Sequence, residues 1–148
     1  MLSAASRAAN LDDVSSWLEL VSEVEGLFGP MPSFEAQLRR AIVRGTAIVV
    51  GVHDAVAGGA LLSSDDRPHR ILWLAVRQSQ RRRGVGAALV TAALERWPVG
   101  DVAVVTFPAE VSAGVPARRL YERFGFVCFG PAEAAPDGQP RDLFVLTR

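Results

Sequence analysis

Apolar and polar positions along this chain repeat with two periods, and the places where one gives way to the other mark its elements. The run Ile71-Leu72-Trp73-Leu74-Ala75-Val76 has no polar residue in it. It reads as a strand buried on both faces. Arg77-Gln78-Ser79-Gln80 closes it, and Arg81-Arg82-Arg83-Gly84-Val85-Gly86 sets two glycines in a basic loop. From Gly86 onward Leu89, Val90, Ala93, Leu94 and Trp97 recur three and four apart, one face of a helix stopped by Pro98. The centre of the chain is therefore strand, glycine-basic loop, helix.

The flanks follow the same logic. Leu2 to Ala5 is a candidate first strand. Asn10 caps a helix with Asp12 and Asp13 in its first turn, a stripe of Val14, Trp17, Leu18, Val21 and Val24, and glycines at 26 and 29 to end it. Ser33 caps a second helix with Phe34, Leu38, Ala41 and Ile42 inward and Gly45 at its end. Thr46 to His53 and Val56 to Ser63 form a hairpin around Asp54-Ala55, with Gly58 and Gly59 marking a bulge or a close backbone approach. Val102 to Phe107 is a further strand, parallel to the Ile71 strand across a right-handed crossover. Pro116 opens a short helix ended by Gly125. Phe126 to Phe129 and Asp142 to Thr147 form a closing hairpin, which places Cys128 as a small core residue. The pattern is a single α/β domain, residues 1–148, with a mixed sheet.

The central loop suits phosphate. The first turn of a helix carries backbone N–H groups without partners and the positive end of the helix dipole. Glycines at 84 and 86 let a diphosphate approach the backbone, and three arginines add charge. The loop lacks the Gly-Lys-Ser/Thr ending of a Walker loop and the third glycine of a dinucleotide fingerprint.

Arg81-x-x-Gly84-x-Gly86, after an apolar strand and opening a helix, resembles the acyl-CoA signature of the GNAT N-acetyltransferases. A second segment agrees: Pro116-Ala117-Arg118-Arg119-Leu120-Tyr121-Glu122-Arg123-Phe124-Gly125-Phe126 is similar to that family's tyrosine-bearing helix ending in Gly-Phe. The resemblance implies a mixed, mostly antiparallel sheet of six to seven strands flanked by about four helices. It implies acetyl transfer from acetyl-CoA, as co-substrate, to a primary amine by direct ternary-complex transfer. The alternative is an inactive acyl-CoA-binding sensor of the same fold.

The resemblance also implies roles. The backbone of Leu74, Ala75 and Val76 meets the pantetheine amides, and the amides of Arg81, Arg82, Arg83, Gly84, Val85, Gly86 and Ala87 hold the pyrophosphate. Arg82 and Arg83 are candidates for the outer phosphate. Tyr121 is the candidate general acid, since a phenol of pKa ~10 can protonate a departing thiolate. The family often has an asparagine seven residues before that tyrosine, where this chain has Gly114. The amine must lose a proton before it attacks, so Glu110, just past the Val102 strand, is the first candidate base, with His69, Asp66 and water as alternatives. Phe28, Met31 and Phe34 are candidate acceptor contacts.

Composition narrows the partners. Sixteen basic and sixteen acidic residues balance, which argues against nucleic acid. All sixteen basic residues are arginine, a bias that fits the alanine- and glycine-rich composition better than it fits phosphate binding. One cysteine excludes an internal disulfide framework, and the two histidines lack metal-ligand spacing, so no metal is expected. No apolar run approaches the ~20 residues that span a bilayer, and no secretory signal is visible. The expectation is a cytoplasmic protein with a small-molecule or peptide amine acceptor, no nucleic-acid or membrane partner, and a possible homodimer.

Overall fold

The computed structural model describes residues 5–148, so the expected strand at Leu2 to Ala5 lies almost wholly outside the described residues. A short strand follows it instead, β1 (Ser6–Ala8), and pairs with β2. Asn10 caps a single 3-10 turn, its Oδ1 accepting from Asp12 N while Asp13 accepts from Asn10 N. Arg7 donates twice to Asp13 at 2.8 Å, and these hydrogen bonds hold the Asp13 carboxyl below the usual carboxylate range.

The helices are α1 (Val14–Phe28), α2 (Phe34–Arg44), α3 (Val85–Arg96) and α4 (Val115–Arg123). α1 runs through Gly26 and ends at Gly29, where φ is 86°. Its buried face is Val14, Trp17, Leu20, Val21 and Val24, so Leu20 rather than Leu18 completes the stripe. Ser33 occupies the cap position of α2 but makes no capping bond; its Oγ accepts from Gln37.

The remaining strands are β2 (Ala47–Val52), β3 (Ala55–Leu62), β4 (Arg70–Val76), β5 (Val102–Thr106), β6 (Val127–Pro131) and β7 (Asp142–Leu146). They form one seven-stranded sheet in the order β1-β2-β3-β4-β5-β7-β6, antiparallel except for β4 and β5. This is the mixed, mostly antiparallel architecture with four helices that the sequence implies. The β2–β3 turn sits one residue earlier than expected, on His53 and Asp54, both with positive φ.

Two apolar clusters cover the two faces. One joins α3 and α4 to the sheet through Leu89, Val90, Trp97, Leu120, Tyr121 and Phe144; the other joins α1 and α2 through Trp17, Leu20, Phe34 and Leu38. Gly58 and Gly59 are where the helices come closest. A Cβ on Gly58 lies 2.6 Å from Val85 Cγ1, and one on Gly59 lies 2.6 Å from the Trp17 ring. Because Trp17 is fully buried and cannot retreat, Gly59→Ala is expected to cost about 1–3 kcal/mol, read as a lower urea midpoint at unchanged slope.

Arg77 locks α1 to the end of the sheet. Its Nε donates to Val56 O and its Nη2 to Ser16 O, while Ser16 Oγ accepts from Val56 N. The polar side of α1 is thus partly consumed by structure. Cys128 is not a core residue: β6 is the edge strand, and Val127, Cys128 and Phe129 are all exposed.

Candidate active site

β4 carries the site, and it is not buried on both faces. Its pairing with β5 covers Arg70 with Ala103 and Ile71 with Val104, and stops there. The cause is visible on its other edge. Leu61 faces Trp73 and Leu62 faces Ile71, so Leu72 is an unmatched bulge residue, and a bulge bends its strand. Beyond Ile71 the two parallel strands diverge, and Leu72 is 55% exposed. The whole apolar run lines a cleft.

The cleft measures about 930 Å³. One wall is β4, from Arg70 to Val76; the other is Val104 to Phe107 with α4. Phe28 also lines it, as do Glu133, Ala135, Pro136 and Arg141 from the loop between β6 and β7.

The loop into α3 lines it as well. The first helical bond is Ala88 N to Gly84 O at 2.9 Å. Among the described residues, the amides of Arg82 through Ala87 donate to no protein acceptor. The chain turns left-handed at Arg82 (φ 64°) and at Gly84 (φ 78°), which gathers successive N–H groups into an anion-binding concavity. Gly86 is needed for packing too, since a Cβ there lies 2.9 Å from Leu120 Cδ2. Arg81, Arg82, Gly84, Val85, Gly86 and Ala87 line the cleft; Arg83 does not. Free amides, a basic rim and a strand edge without a partner fit a nucleotide diphosphate with an amide-bearing arm.

Tyr121 lies in the cleft wall, 3% exposed, with its ring against Phe126 and Phe144 at 5.7 and 6.4 Å. Its hydroxyl makes no hydrogen bond among the described residues, so it is not a packed tyrosine tied to the sheet. Burial pushes its phenol well above the ordinary value, so the proton stays on. Arg118, one turn back, donates to Phe107 O and to Asp142, and so fixes α4 against β7. Gly114 also has a steric reason: a Cβ there lies 2.5 Å from Phe107 Cβ. An asparagine at this position is incompatible with Phe107 where it stands.

The candidate bases do not gather here. Glu110 is exposed on the turn after β5 and does not line the cleft. Asp66 sits in the exposed loop before β4, its carboxyl held low by the Ser64 hydroxyl. His69 stacks on Trp97 at 4.9 Å with Nε2 facing Val99 O. Among the described residues the one carboxylate lining the cleft is Glu133, in a loop whose composition carries no signal of its own. Of the candidate acceptor contacts, Phe28 lines the cleft. Phe34 is buried against Trp73 at 4.9 Å, and Met31 packs on the α1–α2 cluster.

A bulged strand splayed from its parallel neighbour, with free amides at the next helix, defines an acyltransferase-like α/β fold. The acetyltransferase (GNAT) domain family matches residues 44–128, and the chain belongs to that family. Solved structures with the same fold include Ard1 from Thermoplasma volcanium (22% identity, 99% of this chain and 98% of that one, TM-score 0.79). Diaminobutyrate acetyltransferase EctA from Paenibacillus lautus, in complex with L-2,4-diaminobutyric acid and coenzyme A, is another (18%, 99% and 96%, TM-score 0.77). A third is PaiA N-acetyltransferase from Thermoplasma acidophilum in complex with coenzyme A (12%, 99% and 100%, TM-score 0.74). No curated protein sequence matches this chain.

Proposed function

We propose that the protein is an acetyl-CoA-dependent N-acetyltransferase that acylates a primary amine by direct transfer within a ternary complex. The observation that carries this is the run of free amides from Arg82 to Ala87, placed at the mouth of the gap between β4 and β5. Two fold relatives hold coenzyme A, which supports the same reading.

Acetyl-CoA supplies an electrophilic thioester carbonyl and a thiolate leaving group. The chain supplies the rest. Amides 82–87 and the α3 dipole bind the diphosphate, with Arg81 and Arg82 adding charge at the rim. Arg83, outside the cleft, is left with the outer phosphate. The unpaired edge of Leu74, Ala75 and Val76 offers backbone groups to the pantetheine amides, as an added strand would. Tyr121 holds a proton where the leaving sulfur emerges. Glu133, rather than the remote Glu110, receives the acceptor's ammonium and passes its proton to water.

Two measurements test this. Saturating CoA is expected to raise the melting temperature, because ligand at ~100 times its Kd stabilises the native state by about 2.7 kcal/mol. An amine panel followed by thiol release is then expected to find at least one acceptor. A melting temperature indifferent to CoA would sink the assignment.

A further inference from the structure

Two opposite charges line the cleft without an ion-pair partner among the described residues. The bond from Ala132 N to Arg141 O, 2.8 Å, prolongs the β6–β7 pairing and draws together the two ends of the connecting loop, which carry Glu133 and Arg141. Both line the cleft. Yet among the described residues the ion pairs join Arg7 to Asp13, Arg39 to Glu35, Arg77 to Glu19, Arg96 to Asp65 and Arg118 to Asp142. Glu133 and Arg141 belong to none of them.

Arg141 is instead braced on an aromatic face. Its guanidinium lies over the Phe107 ring, 4.5 Å from the centroid, and Nη1 donates to Pro140 O. A guanidinium has five N–H donors in a rigid fork, and one braced over a ring keeps its remaining donors free for a planar, two-oxygen acceptor. Phe107 packs on Phe28 at 5.5 Å, and Phe28 on Trp73 at 5.7 Å, so an apolar floor extends from beneath the guanidinium. Such a floor weakens screening by water and strengthens a matched zwitterion over a bare cation.

We propose that the acceptor is an amino-acid-like amine, a small molecule with a carboxylate a few bonds from the amine, and that Arg141 selects it. Arg141 takes the carboxylate as a two-pronged pair while Glu133 takes the ammonium. This rests on the amine-acylation reading above and adds the acceptor's chemical class to it.

The test uses the full chain, saturating acetyl-CoA and matched amines that differ by one carboxylate: lysine against cadaverine, and gamma-aminobutyrate against propylamine. In each pair the carboxylate-bearing amine is expected to have the higher kcat/KM by about tenfold or more, the size of a charge-assisted pair, expressed in KM. Arg141→Gln is expected to bring that ratio to within about threefold, and Arg141→Lys, which keeps charge but loses the fork, to an intermediate value. A wild-type ratio near one, or a ratio that Arg141→Gln leaves in place, overturns the proposal. So does a CoA-responsive protein that acylates the carboxylate-free amines alone, or none of the four. A chain that does not respond to CoA at all overturns the acyltransfer reading instead.

Discussion

Tyr121→Phe is expected to lower kcat by about 10²–10⁴ while the CoA-induced rise in melting temperature persists. The substitution removes one oxygen from a ring that is 3% exposed and packed against Phe126 and Phe144, so the ring contacts survive. That oxygen makes no hydrogen bond among the described residues, so its removal leaves no orphaned partner and native stability should hold. A large loss of turnover at constant fold and constant CoA binding is then the signature of a lost proton donor.

The pH profile provides the companion measurement. Burial raises the phenol's pKa, so the donor form persists to higher pH than for a free tyrosine. The wild type should show no falling limb from this residue below pH ~10. Its rate should instead climb by roughly tenfold per pH unit below the amine's own pKa, since only the deprotonated amine attacks. A basic limb near pH 8 that vanishes in Tyr121→Phe would mean that burial does not hold the phenol above its ordinary value.

The second large effect belongs to Gly84. Its φ of 78° is open to glycine, and a Cβ there meets nothing within 4 Å. Gly84→Val therefore does not clash. It places a β-branched residue in a left-handed conformation that costs about 1–3 kcal/mol, which the loop can relieve by turning its amides away from one another. It also puts two methyl groups in the open space before those amides. CoA affinity is expected to fall by about 10- to 150-fold, the equivalent of 1.4–3 kcal/mol, with little change in melting temperature without ligand. Arg83→Ala sets the scale: it removes a charge from outside the cleft and keeps every amide, so its loss in calorimetric Kd should stay below about tenfold. Equal losses in the two variants would mean that charge, not backbone geometry, binds the phosphates.

What the sequence made visible and what it hid divide along a physical line. The strand-loop-helix unit announced itself because apolar period, glycine placement and a proline stop are local signals. The same holds for the glycines at 58 and 59, where backbone must pass close to Val85 and Trp17. Tertiary effects left no such trace. The run from Ile71 to Val76 looks like a doubly buried strand whether its neighbour is β5 or a cleft, and the bulge at Leu72 that decides the matter is a feature of pairing. Cys128 resembles a core residue until β6 is known to be the sheet's edge. Glu133 gains its place from a loop that folds over α1, where Asp137 approaches Gly29, and nothing adjacent in sequence foretells that. Glu110 looked well placed because it follows a strand end, yet the turn carries it outward.

The divergence of β4 and β5 has a mechanical consequence. Two residue pairs are all that stitch the block β1 to β4 to the block of β5, β7 and β6 along the sheet. An arm lying between them, bonded to the free edge of β4, acts as a surrogate strand and rivets the halves together. Amide exchange in β5, and in β7 behind it, should slow when CoA binds. If the chain turns over acetyl-CoA as proposed, product release and sheet flexibility become one event.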